Sequence, residues 1–333
     1  MNWSSAEFAP KVSIIVATLN NEKTIGECLR SILEQDYPKE LLEIIVVDGG
    51  SRDSTFEIVK NYPVKAISMS MNAPQAYNYA INSTESDVVG IVDADAKVEK
   101  EWLKKLLPHL KEKNVAAVSG TIETWNSDKV LPKCIGFDLK YRYSRIRGTV
   151  SRIATMNLLI KRRIFDDIGG FNEELPSQYD TEFGIRVTKK GYKIVLEREA
   201  KCFHYNRPTW REYFKQQLQY GKNTAKLYLK NPNLIKGDYI TGFDMNIQPV
   251  LIASSFLLAI LGFFQKFLWY FSALIFASLL LFYIISAVKL AYLYKDADAL
   301  CLVPVYIVRA IAWTMGGAIT IINFIKSSLK GDL

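Results

Sequence analysis

The sequence predicts an α/β domain with a Rossmann-like mixed sheet, followed by a C-terminal α-helical region that crosses a membrane. Three observations carry this. Two continuous β-branched runs, KVSIIVAT (11–18) and LEIIVVD (42–48), flank a helical pattern, and strands without polar alternation are covered on both faces, as parallel strands are. The stretch Ile91-Val92-Asp93-Ala94-Asp95 closes another apolar run with two carboxylates one residue apart. From Pro249 onward, apolar segments at 249–264, 267–288 and 300–325 follow in succession with few charges. The second and third reach the roughly 20 residues a bilayer crossing needs, and the first is short.

Taken in order, Glu22 to Gln35 places Ile25, Leu29, Ile32 and Leu33 on one helical face and stops before Tyr37-Pro38, so the first fifty residues form a β-α-β unit. The second strand runs into Gly49-Gly50-Ser51-Arg52-Asp53, where Asp53 caps the helix that starts at Ser54. Further strands are expected at 64–69, 87–93, 115–122 and 155–160, with helices at 73–83 and 99–111. That alternation is an α/β sheet, and ligands of such sheets bind at the carboxyl ends of the strands. Asp48, Asp93 and Asp95 meet there, and an extended backbone points Asp93 and Asp95 the same way. Two anions in an apolar setting need a cation between them, and a divalent metal carrying a diphosphate supplies it. Residues 209–229 read as an amphipathic helix on the membrane surface. The organisation is a domain at 1–207, a helix and linker at 208–246, and about three spans at 247–333.

The formal net charge of +8 is concentrated. Between Lys201 and Asn246 stand eight basic residues against Glu212, Asp238 and Asp244, which places this flank in the cytoplasm against anionic headgroups. Because the patch adjoins a membrane segment, nucleic acid is not the expected partner. Residues 1–10 lack the basic start and apolar core of a cleaved signal peptide. Cys28, Cys134, Cys202 and Cys301 have no paired spacing, so neither a zinc site nor a disulfide framework is expected.

Four ordered blocks carry a resemblance: Val12 to Glu22 (VSIIVATLNNE), Ile45 to Thr55 (IVVDGGSRDST), Val92-Asp93-Ala94-Asp95, and the acidic segment Gln178 to Arg186 running into Gly191-Tyr192-Lys193-Ile194. Together they closely resemble family 2 glycosyltransferases, which have the GT-A fold, over about residues 11–230. The resemblance implies that Ala17, Thr18, Asn20, Glu22, Asp48 and Gly49 hold the donor's base and ribose, that Asp93 holds its ribose or sugar, and that Asp95 ligates Mg²⁺ or Mn²⁺ on the diphosphate. A departing nucleoside diphosphate develops charge that a metal stabilises. Asp180 matches the family's catalytic base, with Tyr179 in place of its usual acidic neighbour and Glu182 in reserve. Asn157, Gly169, Gly170 and Phe171 resemble the acceptor-side segment. His204, on a late strand, corresponds to a third metal ligand in several GT-A enzymes. Gln216, Gln219 and Tyr220 are the nearest match to the Gln-x-x-Arg-Trp of membrane synthases.

Beside these, Arg142, Arg145, Arg147 and Arg152 cluster around Gly148, and the planar arginine fork suits a lipid phosphate. Arg309 falls inside the third apolar segment, where an ionisable group holds a lipid phosphate or another charge. The implied activity is inverting transfer from a nucleotide-sugar to a polyprenyl (dolichol-type) phosphate or diphosphate glycan at the bilayer surface. GDP-mannose is the donor expected from related lipid-linked glycan assembly. A processive polysaccharide synthase would need more spans to enclose its product, and a silent sugar-nucleotide scaffold would show decay of the Asp93, Asp95 or Asp180 positions. The partners are thus a nucleotide-sugar, a lipid-linked acceptor and membrane lipids; the oligomeric state is not written in the sequence.

Overall fold

The computed structural model describes residues 9–146, 148–237 and 240–330, and the chain divides into two compact units. The first comprises Met1–Trp125 and Ile146–Tyr205, the second Asn126–Arg145 and Asn206–Leu333.

In the first unit the elements are β1 (Val12–Thr18), α1 (Ile25–Leu33), β2 (Leu42–Asp48), α2 (Thr55–Lys60), β3 (Lys65–Ser68), α3 (Ala73–Asn82), β4 (Val88–Ile91), β5 (Ala96–Val98), α4 (Trp102–Leu106) and β6 (Val115–Thr124). After α5 (Val130–Ser144) of the second unit come β7 (Thr149–Val150), β8 (Leu158–Lys161), α6 (Arg163–Ile168), α7 (Tyr179–Lys189) and β9 (Lys193–His204). The described strands form one mixed sheet in the order β3-β2-β1-β4-β8-β6-β9-β5, with β7 on β9. Strands β3, β2, β1 and β4 run parallel. Strand β8 lies antiparallel to both β4 and β6, and β6 runs parallel to β9. The first β-α-β unit is as expected: β1 is buried on both faces, and α1 buries Ile25, Cys28, Leu29 and Ile32 against the sheet. Helix α3 starts at a reciprocal cap between Asn72 and Gln75, which satisfies the donors its first turn leaves open.

Two local departures shape the site. The strand expected over 87–93 ends at Ile91, and Asp93 and Asp95 lie in a tight turn closed by the Ala96 amide donating to the Asp93 carbonyl at 2.9 Å. A turn, not the pleat of an extended strand, brings the two carboxylates together. Second, the β6–β9 register slips between Gly120↔Glu197 and Thr121↔Lys201. A Cβ at Gly120 would stand 2.2 Å from the Ala200 carbonyl, so only glycine lets β9 cross here. Beyond the slip β9 pairs with β5, and the register Ala96↔His204 sets His204 next to the carboxylate turn.

The second unit is helical: α5, α8 (Trp210–Lys230), α9 (Phe243–Leu261), α10 (Phe267–Tyr294) and α11 (Leu302–Lys330). Residues 126–145, read from the sequence as part of the first domain, belong here. Helices α9, α10 and α11 are each long and apolar enough to cross a membrane. The segment that looked short is a 19-residue helix because it starts at Phe243, ahead of Pro249. Helix α8 packs directly on α11: a Cβ at Gly221 would lie 2.6 Å from Trp313 Cα, and one at Gly316 2.4 Å from the Leu218 carbonyl. Small residues at such a crossing let two backbones touch. The buried face of α8, including Tyr213, Gln217 and Leu227, is turned into the protein. Arg309 is 8% exposed and meets Asp138 Oδ2 at 3.0 Å.

Candidate active site

The donor-side residues lie on two loops tied to each other. The register Thr18↔Asp48 ends β1 and β2 level, with Ala17 just before, half-buried in β1. Asn20 has a φ of 55°, the left-handed region that asparagine tolerates better than most residues. Its amide donates to Ser51 Oγ at 2.8 Å and its Oδ1 accepts from the Arg52 amide at 2.9 Å. Glu22 Oε2 accepts from the Ser54 amide at 3.1 Å. Asp53 accepts from the Thr55 amide at 3.0 Å and so caps α2. Asp48 is 1% exposed, and its carboxylate accepts from the Gly50 and Ser51 amides, from Ser51 Oγ and from Ser68 Oγ. It thereby orders the Gly49–Ser51 loop. Gly49 is held close, since a Cβ there would lie 2.7 Å from the Met71 carbonyl.

Next to this loop pair stands the carboxylate turn. Tyr77 of α3, 1% exposed, donates its hydroxyl to Asp93 Oδ1 at 2.8 Å. Burial, and then the charge of Asp95, push the Asp93 carboxyl up to about 6; Tyr77 and His204 pull it back only in part. Asp95 Oδ1 lies 3.5 Å from His204 Nε2. This is a hard oxygen set with one imidazole, in which the charge of Asp95 raises Asp93, and it fits a divalent cation such as Mg²⁺ or Mn²⁺. No closed three-ligand cage forms among the described residues; an open arrangement suits a metal that completes its shell with diphosphate oxygens.

Asp180 sits in the first turn of α7, after Gln178 at a φ of 66°, where the helix dipole favours an anion. It is half-buried, and its Oδ1 accepts from the Thr181 amide at 2.7 Å. Burial raises its carboxyl above the ordinary value, and neither that amide nor the Arg152 charge fully reverses it. A carboxylate made more basic in this way suits proton abstraction from a hydroxyl. Glu182 does not keep its reserve role: Arg186 grips both its oxygens, at 2.7 and 2.9 Å, and donates onward to the Ile168 and Gly170 carbonyls. The Tyr77 ring lies 6.0 Å from that of Tyr179 and 5.8 Å from that of Phe171. The tyrosine that holds Asp93 thus packs on the residue preceding Asp180.

The expected acceptor-side residues fare differently. Asn157 is fully buried; its Oδ1 accepts from Trp102 Nε1 at 2.6 Å and its Nδ2 donates to the Thr121 carbonyl at 3.0 Å. Phe171 is 3% exposed in a ring cluster with Phe165, Phe183, Tyr77 and Tyr179. Both side chains are turned into the core. Gly169 ends α6 at a φ of 82°, and a Cβ at Gly170 would strike Asn78 Oδ1 at 2.4 Å. These glycines let the 169–171 strap dock on α3, where Asn78 bonds the Phe171 amide and carbonyl. Of the four clustered arginines, Arg152 belongs to the first unit and acts on Asp180, Arg142 and Arg145 belong to the second, and Arg147 lies outside the described residues. Gln216, Gln219 and Tyr220 are on α8 in the second unit. The glutamine α8 buries is Gln217, which accepts from Trp313 Nε1 at 2.9 Å.

Residues 13–169 match the model of glycosyl transferase family 2. The chain carries a family 2 glycosyltransferase domain. Among relatives of this glycosyltransferase, the glycosyltransferase AglE of Haloferax volcanii is 26% identical over 230 residues, covering 66% of this chain and 75% of that protein. A dolichyl N-acetyl-alpha-D-glucosaminyl phosphate 3-beta-D-2,3-diacetamido-2,3-dideoxy-beta-D-glucuronosyltransferase of Methanococcus voltae is 27% identical over 230 residues, 63% of this chain and 71% of that protein. Of the probable glycosyltransferase YdaM of Bacillus subtilis, 29% identical, the chain spans 57%. The mannosyltransferase PcManGT of Pyrobaculum calidifontis, solved with GDP-Man and Mn²⁺, superposes with a TM-score of 0.62 at 20% identity, over 94% of this chain and 88% of that one. The first unit of the glycosyltransferase has the GT-A fold.

Tyr77 and Asn78 were not legible as site residues. Tyr77 bonds Asp93, yet it reads as one more apolar position on the face Ala76, Tyr77, Ala80 and Ile81 that α3 buries. Its hydroxyl was the available signal, because a buried tyrosine hydroxyl needs a partner.

Proposed function

We propose that this glycosyltransferase moves a sugar, with inversion, from a nucleoside-diphosphate sugar to a hydroxyl of a lipid-linked (polyprenyl phosphate or diphosphate) glycan at the cytoplasmic face of a membrane. GDP-mannose is the first donor to test. The observation that carries the reading is the packing of Tyr77, which holds Asp93, on Tyr179, the residue before Asp180, with Asp95 and His204 next to Asp93. In this reading the loops at Asn20–Glu22 and Gly49–Ser51 receive the nucleoside, and Asp93 orients the ribose or sugar. Asp95 and His204 would hold Mg²⁺ or Mn²⁺, which when bound neutralises the departing diphosphate. Asp180 takes the acceptor hydroxyl's proton as that oxygen attacks the anomeric carbon from the opposite face. The lipid acceptor is supported by the dolichyl-phosphate relative and by three helices suited to a bilayer; the basic flank supports the sidedness.

The test is release of nucleoside diphosphate, and formation of a glycolipid, by the full chain in nanodiscs supplied with a panel of nucleotide-sugars, polyprenyl-linked acceptors and Mn²⁺ or Mg²⁺. One preferred donor, a product carrying one added sugar, and losses of about 10²- to 10⁴-fold in Asp180→Asn are expected. A ladder of long chains, or transfer unchanged in Asp180→Asn and Asp95→Asn, would overturn the reading.

A further inference from the structure

The second unit encloses a cavity of about 600 Å³ between α5 and one end of the apolar helices, the end where α9 starts, α10 finishes and α11 starts. Its charged lining is Arg142, Arg145, Lys289 and Arg309 against Asp138 and Asp244. The deep part is closed on itself: Asp138 meets Arg309 at 3.0 Å and Arg142 at 3.0 Å, and accepts the Tyr306 hydroxyl at 2.9 Å. One carboxylate thereby serves two guanidinium groups, and Arg142 Nε remains buried with no hydrogen-bond partner. The outer part is cationic. Tyr141 is flanked by Arg145, its guanidinium 5.7 Å from the ring, and by Lys289, its ammonium 5.1 Å from the ring and donating to the phenol oxygen at 2.7 Å. No carboxylate pairs with Arg145 or Lys289 among the described residues.

Two like charges on one ring, over a third guanidinium with a spare buried donor, are a surplus that an anion relieves. The amide end of α9 at Gly242 adds a partial positive charge to the same cavity. The anion comes with an apolar chain: Phe282 of α10 lines the cavity and is 42% exposed, and exposed Leu281 and Ile285 continue along that helix. We infer that this cavity binds the phosphate or diphosphate of a lipid whose hydrocarbon lies along α10. Building on the lipid-acceptor reading above, we identify that group as the acceptor's own phosphate.

The test reads binding without sugar transfer. The full chain is reconstituted in phosphatidylcholine nanodiscs doped with polyprenyl phosphate, or with phosphatidylglycerol, or with neither lipid but with inorganic phosphate in the buffer, and bound lipid is counted by native mass spectrometry. Wild type retains polyprenyl phosphate; Arg145→Gln with Lys289→Gln lowers retention about tenfold, in line with loss of charge-assisted bonds, and Arg145→Lys with Lys289→Arg restores it. Both side chains are exposed, so thermal melts of the double variant should match wild type. Preference for polyprenyl phosphate supports the acceptor assignment, and equal retention of phosphatidylglycerol supports the phosphate site while reassigning it to bilayer lipid. Retention unaffected by the double substitution, or inorganic phosphate bound with no lipid retained, overturns the proposal. Lipid retained without sugar transfer from any donor would condemn the catalytic reading instead.

Discussion

Gly184→Ala tests whether the placement of α7 sets the rate. Gly184 lies one turn after Asp180 on α7, and a Cβ there would stand 2.8 Å from the Ser151 carbonyl, 3.3 Å from the Ile153 amide and 3.4 Å from Arg152 Cα. Two effects oppose each other. Alanine in place of a helix-interior glycine is worth up to about 1 kcal/mol by propensity. Overpacking against backbone, which cannot rotate away, costs about 1–3 kcal/mol. The clash is with main-chain atoms, so the second wins, and a net destabilisation of about 0–2 kcal/mol is expected. The activity loss should exceed what stability explains: ordinary contact distance demands a retreat of more than half an ångström by α7 or by residues 151–153, and a misplacement of about 1 Å costs on the order of 10²-fold. Thermal melts and initial rates on the same reconstituted samples separate the two. Gly317→Ala is the control, since nothing lies within 4 Å of a Cβ there; it should keep full activity and gain slightly in Tm. A Gly184→Ala protein with raised Tm and wild-type rate would show that α7 is not braced on residues 151–153 as described.

Three further outcomes follow from the same geometry. Burial raises the Asp180 carboxyl, and a base must be ionised to act, so transfer should rise with pH along a limb above the ordinary carboxylate range; Arg152→Gln, which removes a charge that lowers it, should move that limb higher, and an unmoved limb would discount Asp180 as the group observed. Tyr77→Phe keeps the ring contacts but removes one hydrogen bond to a carboxylate, worth about 1.5–3 kcal/mol, so kcat/KM for the donor should fall about 10- to 100-fold, with no loss if Asp93 plays no part in donor binding. Arg309→Met strips Asp138 of one partner inside the helical unit; breaking a buried pair costs about 3–5 kcal/mol, at the low end here because Arg142 and Tyr306 remain, and thermal melts should show that loss, whereas Asp138→Leu with Arg309→Met should not recover it because Arg142 and the Tyr306 hydroxyl then lose their partner.

How much of this was legible depended on how far each residue's partner lies along the chain and whether burial left a period. Strands β1 and β2 could be read because burial on both faces leaves an uninterrupted β-branched run. The identities of Asp93, Asp95, Asp180 and His204 were visible, but not the turn that joins the first two: Ile91 to Asp95 has no glycine or proline to announce it. Helix α5 was not foreseen. Its buried positions include Pro132, Gly136 and Asp138 beside Leu131 and Cys134, so no apolar stripe at helical spacing survives, and Asp138 finds Arg309 across 171 residues. The burial of Asn157 and Phe171 was not legible for a related reason. Their motif was clear, but a motif does not say which side of the backbone a side chain takes, and here both turn into the core.

The arginines that the sequence placed in one cluster show what the structure adds. Arg152 stays with the first unit, where its charge acts on a buried carboxylate, while Arg142 and Arg145 leave on α5 for the helical unit. Considered by itself, each unit then carries an imbalance. The first holds Asp95 close enough to raise Asp93, with His204 beside Asp95. The second holds Arg142, Arg145, Lys289 and Arg309 around Asp138 and Asp244. Fold stability alone would not retain either, because like charges crowded in a sheltered place cost free energy that apolar side chains of the same size would not. An anionic rim is relieved by a divalent cation that brings a diphosphate, and a cationic cavity beside exposed apolar helix is relieved by a lipid phosphate. On the proposed function, the two imbalances have opposite sign because the two substrates do different things to charge: one would need its diphosphate neutralised to leave, the other its phosphate held while its sugar reacts.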